Sequence, residues 1–353
     1  MNDNWMKLPI AVTGIIAHGH GDVRYAHYGL DLYPSDCNHT VGSIAKLLRD
    51  LECLPKSCFR ELFNGSGSRP LFEAILEGAE ICVDSLLPPP QVIVEAKPLP
   101  PILHVQLDNA VSDNKNRFMF CFWSLLVARK VFREIYVNFM LVGHTHDDID
   151  ALFGRWSMNL KQNDYPTVPL LMKSFMDAES QPVIPHLIEE VPDFKGFIHD
   201  YIAKEDEKLV GHTEAQQFKF IVDADGWPMM QYKISCQDND WLPMGGGIKL
   251  WREDDNEKPI LPTGEPKPLA PGRMKNVDDI VKGIGGFINH WKTMCEEDVT
   301  GEYRRKHEHL VTYWEGVRCA LLQDVAPSNI LQCGFWPTTR IAQVVEDQFM
   351  ESR

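Results

Sequence analysis

The chain has 353 residues, 44% of them hydrophobic and 24% charged, enough for one large core with a smaller module or for two to three domains. No run approaches the ~18 apolar residues of a membrane helix, and MNDNWMKLPIAV lacks the basic-then-apolar layout of a secretory leader, so an intracellular protein with no membrane partner is expected. A net charge of −15 argues against a surface that binds nucleic acid over its whole area, and nine cysteines without a CxxC pair leave zinc ribbons and a disulfide framework unsupported.

In chain order, NHTVGSIAKLLRDLECL (38–54) places Val41, Ile44, Leu47, Leu48 and Leu51 at helical spacing, with Asn38 and Thr40 as candidate caps. LLPPPQVIVEAKPLPP (86–101) reads as an extended segment leading into a strand. ILHVQL (102–107) and EIYVNFMLV (134–142) read as strands, and KNRFMFCFWSLLVARKVF between them reads as a helix buried on much of its surface. Phe118, Phe120, Phe122, Trp123 and Cys121 are then core residues and not a platform for stacked bases. Strand, helix, strand is a βαβ unit with parallel strands. Further on, QFKFIVDADGWPMMQYKIS (217–235) reads as a hairpin around a DG turn, and with WLPMGGGIKLW it suggests a small β module. PILPTGEPKPLAP (259–271) reads as a linker, and the segment from 276 onward as helical. Basic residues gather at Lys115, Arg117, Arg129, Lys130 and Arg133, and at Arg304, Arg305 and Lys306; each patch alone reads as a solvated helix face.

The βαβ unit has chemical consequences. Its first strand is followed at once by Asp108 and Asn109, its second by GHTHDDID (143–150). Both clusters fall at the carboxyl ends of parallel strands, where open α/β sheets place their sites. Imidazoles and carboxylates are metal-ligand types. A helix over about 147–161 puts Asp147 and Asp150 on one face. Acidic residues in a first helical turn also suit the helix dipole, which explains Asp148, whereas Asp150 lies deeper. A two-metal phosphodiester site, with ions ~3.5–4 Å apart, would use Asp108 and Asp150 as two of three carboxylates. The third would come from Asp22 or Asp31, neither of them convincingly at a strand's carboxyl end. His18, His20 and His212 read as loop residues.

LHVQLDNAVSDNKNRFMF followed by VNFMLVGHTHDDIDALFGRWS resembles a group of eukaryotic, transposon-associated proteins catalogued as a domain of unknown function. The resemblance extends from GIIAHGHG through GHTEAQQFKF and WLPMGGGIKLW. It implies a DDE-type transposase or integrase core on an RNase H-like fold, with Asp108 and Asp150 as catalytic metal ligands, supported by His144 as a catalytic residue or Asp147 as a further metal ligand. It also implies that Asn109, Asn114, Lys115 and Asn116 shape the site or contact phosphate. Mg²⁺ or Mn²⁺ is the implied cofactor, DNA the partner and the nucleus the location, with homo-oligomers an option. An Asp-bearing strand of that family would precede residue 8, so a core without its first strand, and without activity, is one expectation.

The expected fold is therefore α/β: an RNase H-like mixed sheet with flanking helices over 1–175, a helical connector over 176–210 and a small β module over 211–252. A Pro-rich linker over 253–275 and a helical tail over 276–353 complete it. Two rival functions remain. A metallophosphoesterase-like hydrolase would use GHTH, though its GNHE or GDxxD companions are absent from the sequence. A non-enzymatic binding module derived from a transposase would keep the fold without the reaction.

Overall fold

The computed structural model describes residues 9–20, 22–30, 33, 36–53, 99–110, 113–140, 148–180, 183–188, 190–203, 213–269 and 277–322. In chain order its elements are β1 (Ile10–Ala17), β2 (Val23–Leu30), α1 (Cys37–Cys53), β3 (Ile102–Leu107), α2 (Arg117–Ala128), β4 (Glu134–Phe139), α3 (Asp148–Leu160) and α4 (Val168–Asp177). They continue with β5 (Val183–Leu187), α5 (Phe194–Ile198), β6 (Gln217–Val222), β7 (Pro228–Lys233), β8 (Ile248–Lys249), α6 (Val277–Glu297) and α7 (Glu302–Leu322). The fold is mixed α/β, with helices flanking mixed sheets.

β3 and β4 are parallel and joined through α2, as the hydrophobic pattern requires. α2 starts where Asn116 accepts hydrogen bonds from the N–H groups of Phe118 and Met119, at 3.0 and 3.1 Å, and satisfies two donors of the first turn. From Met119 to Val127 every residue of this helix is buried, which accounts for an apolar run without a polar stripe.

Among the described residues the strands form two sheets rather than one. β1, β2 and β5 make a three-stranded sheet, and β3, β4, β6, β7 and β8 a five-stranded one. The free edge of β4 is taken by β6, antiparallel, so the hairpin expected as a separate β module continues the βαβ sheet. Within 176–210, where a helical connector is expected, Val183–Leu187 forms β5 and pairs parallel with β2. Pro185 obscures that strand in the sequence, yet proline is tolerated here because β5 is an edge strand.

Two cores result. One runs from the three-stranded sheet through α1 and α2 to the five-stranded sheet, and includes Tyr25, Leu48, Phe120, Trp123 and Phe218. The other covers the opposite face of the three-stranded sheet with residues of α3, α4, α6 and α7. The C-terminal helices are thereby docked: the Tyr313 hydroxyl accepts from the Val168 N–H at 3.1 Å, and the Trp314 indole donates to the Pro166 carbonyl at 3.0 Å. Cys37, Cys121 and Cys295 are buried free thiols, and burial raises the pKa of each.

Candidate functional site

β3 and β4 pair in register from Ile102 with Glu134 to Leu107 with Phe139, so both run out at one edge of the sheet. Asp108 is the first residue past that edge. Its Oδ1 accepts from the Ala110 N–H at 3.4 Å and from Asn114 Nδ2, while Oδ2 accepts no hydrogen bond from the described residues. Backbone bonds from Asn114 and Lys115 to the Ala110 carbonyl, at 2.8 and 3.3 Å, close the turn that brings Asn114 back to Asp108.

Lys115 fastens this turn to the rest of the sheet. Its ammonium donates to Asn109 Oδ1 at 3.1 Å and to the Thr213 carbonyl at 2.8 Å, and lies 5.1 Å from the centre of the Phe139 ring. It thus holds together the end of β3, the end of β4 and the segment entering β6. The residue is 1% exposed, and desolvation lowers its pKa. Of the residues expected to shape the site or contact phosphate, Asn109, Asn114 and Lys115 are bonded within this turn, and Asn116 caps α2.

Asp150 stands exposed in the first turn of α3, and no hydrogen bond or ion pair from the described residues engages its carboxylate. α3 is held against the three-stranded sheet. Arg155 makes a two-pronged contact with the buried carboxylate of Glu179, at 2.5 and 2.9 Å, and Arg24 of β2 approaches the same group at 3.5 Å. At Gly14 of β1 a Cβ would stand 2.7 Å from the Phe153 ring, so the glycine lets α3 approach this closely.

The same helix start meets the β1–β2 turn. His18 Nδ1 is 2.7 Å from Asp22 Oδ1, and His18 Nε2 is 3.9 Å from Asp148 Oδ2. Asp22, a candidate third carboxylate, sits there at φ 57°. His144 and Asp147, with the rest of 141–147, and Asp31 lie outside the described residues. The structure therefore joins Asp108, Asn109, Asn114 and Lys115 in one network. It places Asp150 beside a second group, and no hydrogen bond or ion pair links the two among the described residues. Among those residues no set of three or more His, Cys, Asp or Glu side chains is arranged to hold a metal.

Two of the basic residues are structural ties: Arg117, at the start of α2 near this edge, donates to the Ala203 carbonyl, and Arg129, at the far end of α2, donates to the carbonyls of Pro262 and Gly264, each at 3.0 Å. Sequence reading overlooked the face of the five-stranded sheet turned away from α2, where His104, Tyr136, Lys219 and Lys233 gather with Trp241. Their signal is the period-two alternation along β3, β4, β6 and β7, visible only once the strands are aligned.

Residues 72–238, just under half of the chain, match a family described as a domain of unknown function (DUF7869). The matched segment takes in everything from β3 to β7, and so includes the Asp108 turn and Asp150. No curated protein and no solved structure matches the chain.

Proposed function

We propose that the chain is a transposase- or integrase-like domain that uses Mg²⁺ or Mn²⁺ to cut or transfer phosphodiester bonds of DNA, with the nucleus as its place of action. The observation that carries this reading is Asp108. A carboxylate stands at the carboxyl end of a parallel strand pair, one oxygen fixed by Asn114 and Ala110 and the other without a donor among the described residues. Such pre-organisation of one oxygen with the other unused suits a ligand to a hard cation. The Asp150 carboxylate likewise has no hydrogen-bond or ion-pair partner among the described residues. Asp108 and Asp150 would hold the ion, with His144 and Asp147 as the supporting residues. A divalent ion held there would supply positive charge toward an attacking hydroxyl and a leaving oxygen. Lys115 acts through Asn109 as a positioning residue, since it is buried. The RNase H-like reading rests on the β3–α2–β4 unit beside antiparallel β6; the division of the described strands into two sheets is where it departs from the single sheet of that fold.

Incubation with end-labelled single-stranded, nicked and duplex oligonucleotides in Mn²⁺ tests the proposal. Cleavage or joining is expected from the native chain and a loss of about 10²-fold or more from Asp108→Asn, with circular dichroism unchanged. No reaction from the native chain on any substrate, or full activity in Asp108→Asn, overturns it.

A further inference from the structure

The five-stranded sheet has one face packed on α2 and one that α2 does not cover. Leu103, Val105, Ile135, Val137, Phe218 and Phe220 turn toward α2, and the intervening residues turn the other way. Strand register places His104, Tyr136, Lys219 and Gln231 side by side in one row of this second face. Gln106, Asn138, Gln217 and Lys233 form the next row.

The chemistry of these rows is specific. The His104 ring stacks on Tyr136 with centres 4.9 Å apart and planes 10° apart, and His104 is exposed. Trp241 packs beside Tyr136 at 5.9 Å. The Lys233 ammonium lies 4.7 Å from the Trp241 ring centre, and that of Lys219 lies 5.6 and 5.9 Å from those of Tyr136 and Trp241. The acidic member of this face, Glu134, is occupied by the Tyr136 hydroxyl at 2.7 Å and approached by Lys219 at 3.8 Å and Arg133 at 3.4 Å. In a chain of net charge −15, this strip gathers aromatic rings, lysines and side-chain amides, with Glu134 paired and Asp238 and Asp240 exposed in the segment leading to Trp241.

We propose that this face binds a single-stranded nucleic-acid segment. Bases stack on exposed rings, phosphates meet lysines and amides read base edges, whereas a duplex keeps its ring faces stacked on one another. The strip also has a direction. His104 and Gln106 alternate along β3, and Asp108 is the next position in that alternation, so a strand lying on the face arrives at the Asp108 turn. Only this destination rests on the reading of Asp108 given above; the binding does not.

Fluorescence anisotropy of a labelled short oligothymidylate, titrated with the full chain in EDTA, tests it. Salt-sensitive binding is expected, with a duplex of equal length bound more weakly. Trp241→Ala is expected to weaken binding about tenfold, and Lys233→Gln, a surface change that spares the fold, to reduce both affinity and salt slope. Equal affinity of the native chain and Lys233→Gln, or equal binding of duplex, overturns the proposal. If metal binding at Asp108 persists in that event, the strip fails and the Asp108 reading stands.

Discussion

Replacing His27 with leucine is expected to stabilise the protein by about 1–3 kcal/mol at neutral pH and to remove much of its sensitivity to acid. His27 lies on β2 at 0% exposure, and neither ring nitrogen has a hydrogen-bond partner among the described residues. A neutral imidazole must carry one N–H, so the fold buries a donor and an acceptor unsatisfied. Leucine of similar size removes both. The groups around the ring are Lys46 and His39 of α1, His186 on the paired position of β5, 5.5 Å away, and Tyr25 at 6.4 Å. Burial, with Lys46 and His39 adding to it, lowers the His27 pKa from 6.5 to about 3. His39 shifts in the same direction, again mainly through burial.

The folded state therefore takes up fewer protons than the unfolded state between pH 6.5 and about 3. Stability is fully present above pH 6.5 and falls as pH drops, by about 1.4 kcal/mol per unit for this residue. Urea unfolding at pH 7 and pH 4.5 reads it directly. The native chain is expected to lose roughly 2–3 kcal/mol through His27, and His27→Leu to retain that part. An equal loss in both proteins would show that His27 is not buried neutral.

Lys115→Met is expected to cost about 2–5 kcal/mol, a large effect for one residue of a turn. Methionine fills a similar volume, so the cost is electrostatic. Asn109 Oδ1 and the Thr213 carbonyl each lose a donor, and the contact with Phe139 loses its charge. Because the lysine connects the ends of β3 and β4 with the segment entering β6, hydrogen exchange should rise at Asn109, Asn114 and residues 213–216 together. If Lys115 instead lay free to bind phosphate, Lys115→Met would leave stability and exchange unchanged and affect only binding of nucleic acid.

Local order was legible in the sequence wherever one pattern dominated. Ile102–Leu107, α1, α2 and the DG hairpin occur where apolar spacing and turn residues place them, since each is fixed by its own period. Sheet membership was not legible. Whether β6 pairs with β4 or forms its own module depends on which edge lies open, and no local period records that. β5 was hidden by Pro185, and Lys115 looked like a surface cation because its acceptors are Asn109, six residues before it, and Thr213, far along the chain. Of the site, Asp108 at the strand end followed from strand and charge alone. The use of Asn116 as a cap and of Asn114 as a brace for Asp108 required coordinates.

The most direct test of the proposal is calorimetric titration of Mg²⁺ and Mn²⁺ into the native chain and into Asp108→Ala/Asp150→Ala. Saturable binding in the native chain that disappears in the double variant, with both proteins equally folded, is the result expected if these carboxylates hold the ion. Binding of equal strength in both, or in neither, would contradict it.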